Sequence, residues 1–225
     1  MFIKICANTN LEDAQLAVEL GADAVGFVCA PSTRRVNANQ VRAITAELPP
    51  DVECIGVFSS LDGEEIAQAV TEAGLTGVQL HGGYSEALVR FLREEFGERL
   101  RIVQTNHWRV GGQVDYAFAE ELRHLGKQDE IDAVLVDSRT AVADGGTGVA
   151  FDWQAAKASM KALGEKPLIV AGGLNAANVE TAIEIFRPWG VDVASGVEAV
   201  PGKKDPERLR AFIEAARRAG SKLEL

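Results

Sequence analysis

Short runs rich in β-branched residues alternate along the whole chain with longer stretches whose apolar positions recur at helical spacing. The strand-like runs are Phe2–Cys6, Ala24–Val28, Val52–Val57, Gly77–Leu80, Leu100–Thr105, Ala133–Val136, Leu168–Ala171 and Val191–Ala194. The helical stretches are Leu11–Leu20, Asn39–Leu48, Glu64–Ala73, Ser85–Phe96, Tyr116–Leu125, Trp153–Leu163, Ala177–Phe186 and Pro206–Ala219. Gly21 suits a C-cap after the first helix, and Asp205-Pro206-Glu207 offers the last one an N-cap, a proline at its first position and an acidic first turn. Eight strand-helix repeats in 225 residues predict an α/β chain folded as a single (β/α)8, or TIM, barrel over residues 1–225. An open doubly wound sheet would usually have fewer strands and a glycine-rich turn after the first, where this chain has Cys6-Ala7-Asn8-Thr9-Asn10. The rhythm weakens only at Asn106–Asp115, where His107, Trp108 and Gly111-Gly112 predict an enlarged loop after the fifth strand.

Composition adds exclusions. Apolar residues make up 47% and charged residues 25%, enough for a packed core and unlike a disordered chain. The formal charge of −10 repels phosphate backbones and anionic lipid at long range, so neither nucleic acid nor membrane is expected as a partner. No apolar run approaches the roughly 20 residues that span a bilayer, and MFIKICANTN does not read as a secretory leader. The expected location is the cytoplasm. Cys6, Cys29 and Cys54 lack metal-type spacing and are expected as free thiols, with no structural zinc.

Strand parity then gathers the polar residues. In a barrel, alternate side chains face the interior and the helices. If Ile3 and Ile5 face the helices, Lys4 and Cys6 face inward; by the same rule Gln79, His81, Asp137 and Asp192 point into the interior. Cys6, His81 and Asp137 also stand at C-terminal strand ends, the face where barrel enzymes carry their chemistry. Each has a plainer reading, since a buried cysteine is often inert filling and a strand-end aspartate often caps the next helix. Glycines recur in the same region at Gly145-Gly146-Thr147-Gly148, at Gly172-Gly173 and at Ser195-Gly196. Such loops after the late strands let backbone N–H groups close on an anion, which predicts a phosphorylated small-molecule substrate. Arg34-Arg35, after the second strand, could pair with a substrate carboxylate or could be solvated surface.

In order and spacing, Lys4-Ile5-Cys6, Gly21–Val28, Gln79-Leu80-His81-Gly82, Val136-Asp137, Gly145–Gly148 with Phe151-Asp152-Trp153, Ala171–Asn175, and Val191–Glu198 through Pro201–Asp205 resemble the phosphoribosylanthranilate isomerases of tryptophan biosynthesis. The resemblance runs from residue 3 to about 213. It implies an Amadori rearrangement of N-(5-phosphoribosyl)anthranilate to 1-(2-carboxyphenylamino)-1-deoxyribulose 5-phosphate, without cofactor or metal. Carried over by position, Cys6 becomes the general base and Asp137 the general acid, with Arg35 on the anthranilate carboxylate. Gly146, Thr147, Gly148, Gly172, Gly173, Ser195 and Gly196 become the phosphate cradle. Asp192 is a candidate for the sugar hydroxyls and His81 for the pocket wall. Monomer and homodimer both remain open.

The chain departs from the family pattern at several positions. Ala7 stands where glycine is usual, Asn8 where an apolar residue is common, and Cys29-Ala30 where an aromatic pair precedes Pro31. Gln104 stands for an inward lysine of strand 5. These changes touch the aglycone side of the pocket more than the phosphate side. They leave two other readings open: an isomerase for another phosphorylated aminosugar, and a barrel that binds a phosphometabolite without turnover.

Overall fold

A computed structural model describes residues 1–110, 116–140 and 153–223. The strands are β1 (Phe2–Ile5), β2 (Ala24–Val28), β3 (Glu53–Phe58), β4 (Gly77–Leu80), β5 (Arg101–Val110), β6 (Ala133–Thr140), β7 (Leu168–Ala171) and β8 (Gly190–Val193). They pair in parallel and in chain order, and β8 returns to β1 with Phe2 opposite Gly190 and Ile5 opposite Val193, which closes the barrel. The helices α1 (Leu11–Glu19), α2 (Ala38–Thr45), α3 (Gly63–Ala73), α4 (Glu86–Phe96), α5 (Tyr116–Leu125), α6 (Trp153–Met160), α7 (Val179–Phe186) and α8 (Pro206–Leu223) each follow a strand. After β8 the chain adds a small antiparallel pair, β9 (Glu198–Val200) and β10 (Lys203–Lys204), that the apolar pattern did not announce. No described helix is long and apolar enough to cross a membrane.

Closure follows from strands that are buried on both faces. Ile3, Ile5, Val25, Phe27, Val78 and Val191 pack outward against the helices, while Phe2, Ala24, Ile55, Val103, Ala133, Leu135, Ile169 and Ala171 fill the interior. Each fully buried isoleucine among them contributes roughly 1.5–3 kcal/mol of transfer free energy. Helix starts are fixed by side-chain caps: Asn10, Asp62 and Ser85 accept backbone N–H groups at α1, α3 and α4. Asp205 does the same for Glu207 and Arg208 at α8, as its sequence signal predicted.

Two expectations about β5 are corrected. The strand does not stop at Thr105; it runs on to Val110, paired with an equally prolonged β6 from Asn106 opposite Val136 to Val110 opposite Thr140, while the rest of the expected loop, residues 111–115 with Gly111-Gly112, lies outside the described residues. Each extension satisfies the other's backbone groups, and Trp108 anchors the outer side by an edge-on contact with Phe118 of α5, centroids 4.7 Å apart. Gln104 does not face the interior either. Val103 belongs to the interior core, so parity turns Thr105 inward and Gln104 outward, where its amide donates to the carbonyls of Leu80, Gly82 and Thr105.

Just past β1, Ala7 is held at φ +62°. The left-handed region costs an L-residue roughly 1–2 kcal/mol and glycine nothing sterically. Asn8, fully buried, pins the turn by donating from its amide to the Ile5 carbonyl at 2.7 Å and from its backbone to Gly26 at 2.9 Å. The substitution Ala7→Gly is expected to raise stability by about 1 kcal/mol, read as a higher urea midpoint at unchanged slope.

Candidate active site

The deepest polar layer is built on a charge that cannot reach water. Lys4, 1% exposed, donates from Nζ to Asp192 Oδ1 at 3.0 Å and to Gln79 Oε1 at 2.9 Å. The Gln79 amide in turn donates to Thr105 Oγ1 at 3.1 Å, so β1, β4, β5 and β8 are tied across the interior. Burial alone would lower the Lys4 pKa, but Asp192 and Cys6 beside it hold it above its ordinary value.

Cys6 lies just past the end of β1, one inward position above Lys4, at the C-terminal rim. Its backbone N–H donates to the Val193 carbonyl at 2.8 Å, and its own carbonyl accepts from Lys204 Nζ. The thiol is buried, and burial pushes its pKa up while Lys4 pulls the other way. Gly26 makes room for both groups. A Cβ there would stand 2.8 Å from Cys6 Sγ and 3.0 Å from Lys4 Nζ, so no side chain fits beside this pair.

A second ion cluster frames the same rim. Glu198 accepts from Arg34 Nη2 at 2.6 Å and Nε at 2.9 Å, takes the Gly202 N–H at 3.2 Å, and lies 3.6 Å from Lys204 Nζ. Burial favours the protonated acid, yet Arg34, Lys204 and the Gly202 amide together hold the Glu198 pKa below the usual carboxylate range. Lys204, itself buried, is pulled below the ordinary lysine value by desolvation. Its backbone N–H donates to Asp13 Oδ2 at 2.8 Å, which fastens the β9–β10 hairpin to α1.

Across the barrel, β4, β5 and β6 present His81, His107 and Asp137. His107 is in register with Asp137, its Nδ1 3.9 Å from Asp137 Oδ2, and its ring meets His81 edge-on at 4.6 Å. Gly172 and Gly173, after β7, both hold positive φ, at 88° and 66°. Gly196, after β8, lies so close to the neighbouring loop that a Cβ would fall 1.8 Å from the Leu174 carbonyl oxygen. The loops after β7 and β8 therefore touch through their backbones.

With this geometry in view, comparison with known proteins is specific. A family model described as N-(5'phosphoribosyl)anthranilate (PRA) isomerase matches residues 3–215. The chain belongs to this family. An N-(5'-phosphoribosyl)anthranilate isomerase of Desulforudis audaxviator is 38% identical over 219 residues, 96% of this chain and 98% of that one. The crystal structure of phosphoribosyl anthranilate isomerase from Thermotoga maritima superposes with a TM-score of 0.83 at 37% identity, covering 97% of this chain and 99% of that one. A further isomerase structure, in complex with reduced 1-(o-carboxyphenylamino)-1-deoxyribulose 5-phosphate, gives a TM-score of 0.78 at 35% identity over 97% and 99% of the two chains.

The residues singled out from the sequence fall into three groups. Cys6, Asp192, His81 and Asp137 come from alternate, inward positions at or near the strand ends, with Gly172, Gly173, Ser195 and Gly196 in the loops beside them. Gly146, Thr147 and Gly148 lie outside the described residues. Arg35 is exposed; the arginine turned toward Glu198 is Arg34. Not foreseen from the sequence are the pairing of Arg34 with Glu198, the Glu198–Lys204 pair and the inward place of His107. For His107 a signal existed, because the inward parity of Val103 and Thr105 continues to it once β5 is allowed two more residues. For Arg34 against Arg35 the loop offers no period to decide by.

Thiol alkylation against pH, with Cys29 and Cys54 replaced by serine, tests the electrostatics. Cys6 is expected to titrate above the ordinary thiol value, and higher again in Lys4→Met/Asp192→Asn, because losing the cation outweighs losing the weaker opposing effect of Asp192. An unchanged profile in the double variant would remove Lys4 from the control of Cys6.

Proposed function

We propose that this chain catalyses the isomerisation for which its family is named, converting N-(5'-phosphoribosyl)anthranilate to 1-(o-carboxyphenylamino)-1-deoxyribulose 5-phosphate in tryptophan biosynthesis, with Cys6 as general base and Asp137 as general acid. The observation that carries the assignment of roles is the placement of a buried thiol on β1, over a paired lysine, and a partly exposed carboxyl on β6, with β1 and β6 on different arcs of one rim.

In the first step Asp137 gives its proton to the furanose oxygen as the anilino nitrogen lone pair forms the C1–N double bond and the ring C–O bond breaks. Cys6, as thiolate, then removes the proton from C2, and those electrons move toward nitrogen to leave an enolamine. Tautomerisation to the ketone returns a proton to carbon and completes the rearrangement. No electron leaves or enters the substrate, so acid-base groups alone account for the step. Lys4 offsets part of the desolvation that keeps the Cys6 proton on, and the layer of Gln79 and Asp192 holds Lys4 at the right height.

The phosphate belongs in the cradle of Gly172, Gly173, Ser195 and Gly196, a placement supported by the positive φ of Gly172 and Gly173 and by the close approach of the two loops at Gly196. Gly146, Thr147 and Gly148 would complete it from the β6 side. For the anthranilate carboxylate, the geometry favours Arg34 over Arg35. Glu198 grips the Nε–Nη2 edge of Arg34 and fixes the plane of the guanidinium, leaving Nη1 as the donor outside that pair.

Turnover is followed by the loss of substrate fluorescence. Wild type is expected to be active, and Cys6→Ser and Asp137→Asn are each expected to fall by roughly a hundredfold or more in kcat. Arg34→Ala should chiefly raise KM and Arg35→Ala should leave it near wild type; the reverse order would return the carboxylate to Arg35. In Asp137→Asn, where no carboxylic acid has to keep its proton, the residual kcat is expected to climb as pH rises from neutral, because burial holds the Cys6 thiol above its ordinary value and the thiol must lose its proton to act. A residual rate in that variant that is flat or falls over this range would exclude a thiolate base.

A further inference from the structure

The rim arc formed by β4, β5 and β6 carries more nitrogen and oxygen ligands than the isomerisation uses. One ligand atom from each of His81, His107 and Asp137 lies within 4.8 Å of the other two. The central point of such a triangle lies within about 2.8 Å of all three corners, and a zinc ion needs about 2.0–2.2 Å to imidazole nitrogen and carboxylate oxygen. Small side-chain rotations close that gap. The His107 side chain is 30% exposed, that of Asp137 22%, and His81 is half-buried, so an ion can enter from solvent through the mouth.

The orientation of His107 is the second observation. Its Nε2 is 3.3 Å from the His81 carbonyl oxygen, and an N–H donated there leaves the lone pair on Nδ1, the atom that faces Asp137 Oδ2 at 3.9 Å. Metal-binding histidines are commonly held in this way, one ring nitrogen donating to a backbone carbonyl and the other left to ligate. His107 owes this position to the prolonged β5–β6 ladder, which sets it opposite Asp137.

We propose that His81, His107 and Asp137 form a site for one first-row divalent transition ion of the zinc class, and that an ion bound there inhibits the enzyme by occupying the Asp137 carboxyl. Two imidazoles and one carboxylate suit zinc, nickel or copper and disfavour magnesium and calcium, which prefer oxygen ligands. Three protein ligands leave an outer position for water. Binding stands on the geometry alone, whereas inhibition rests on the reading of Asp137 as the proton donor.

The test is calorimetric titration of the metal-free, full-length chain with zinc chloride, alongside His81→Gln, His107→Gln and Cys6→Ser. One ion per wild-type chain is expected, with affinity reduced about 10- to 100-fold or more in each histidine variant and retained in Cys6→Ser. Circular dichroism of each variant separates ligand loss from misfolding, and Asp137→Asn supplies a third ligand variant. No zinc uptake by wild type, wild-type affinity in folded histidine variants, or affinity lost only with Cys6→Ser would overturn the site. In the kinetic arm, zinc is expected to lower turnover, EDTA to restore it, and His107→Gln to need about 10- to 100-fold more zinc for the same fractional inhibition. Zinc bound through the histidines with turnover unaffected would uphold the site and count against Asp137 as the acid.

Discussion

A lysine ammonium sealed inside a closed barrel has to be answered by the walls around it. Lys4 is answered by Asp192 from β8 and Gln79 from β4, and Gln79 is held in turn by Thr105 of β5. Breaking one side of such a buried pair costs several kcal/mol, because the remaining charge has no solvent to turn to. That constraint fixes the register of four strands at once and sets a positive charge below the thiol of Cys6. Desolvation and this cation act on the thiol in opposite directions. The site is thus built from the same interior layer that closes the fold.

The rim above the layer divides its labour by arc. On the side of β1, β2 and β8, the cluster of Arg34, Glu198 and Lys204 ties the β2 loop and the β9–β10 hairpin to the carbonyl of Cys6. On the side of β4, β5 and β6, two imidazoles stand around Asp137. Between them lie the glycine turns after β7 and β8, with Gly172 and Gly173 at positive φ and Gly196 against the Leu174 carbonyl. A groove of about 510 Å³ beside Trp189 and Arg187 lies toward the opposite end of the barrel and shares no residue with this rim.

Most of this was legible from period-2 alternation, because a strand buried on both faces leaves a polar residue few places to go. Lys4, Cys6, Gln79 and Asp192 all announced their inward direction through the apolar residues on either side. Alternation failed where the strand outlasted its apolar signal. Asn106, His107 and Trp108 carry no β-branched residue, and their extended form depends on the partner ladder of β6, which is a tertiary effect. The same limit produced the misreading of Gln104, since parity counted from the wrong residue inverts every side chain. Arg34 and Arg35 lie in an irregular loop with no period to tell them apart, and only the contact of Arg34 with Glu198 distinguishes them. The alanine at position 7 was visible as a departure, but its strained φ was not, because backbone angles at a turn have no periodic signature.

The most direct measurement is a crystal structure of this chain with the reduced product analogue bound. The account predicts the phosphate on the amides of Gly172, Gly173 and Gly196, Cys6 Sγ about 3–3.5 Å from the C2 carbon, and the Asp137 carboxyl hydrogen-bonded to the C4 hydroxyl that the ring oxygen becomes. An analogue bound in the reverse sense, or one that leaves Cys6 and Asp137 on the same side of the sugar chain away from C2, would contradict it.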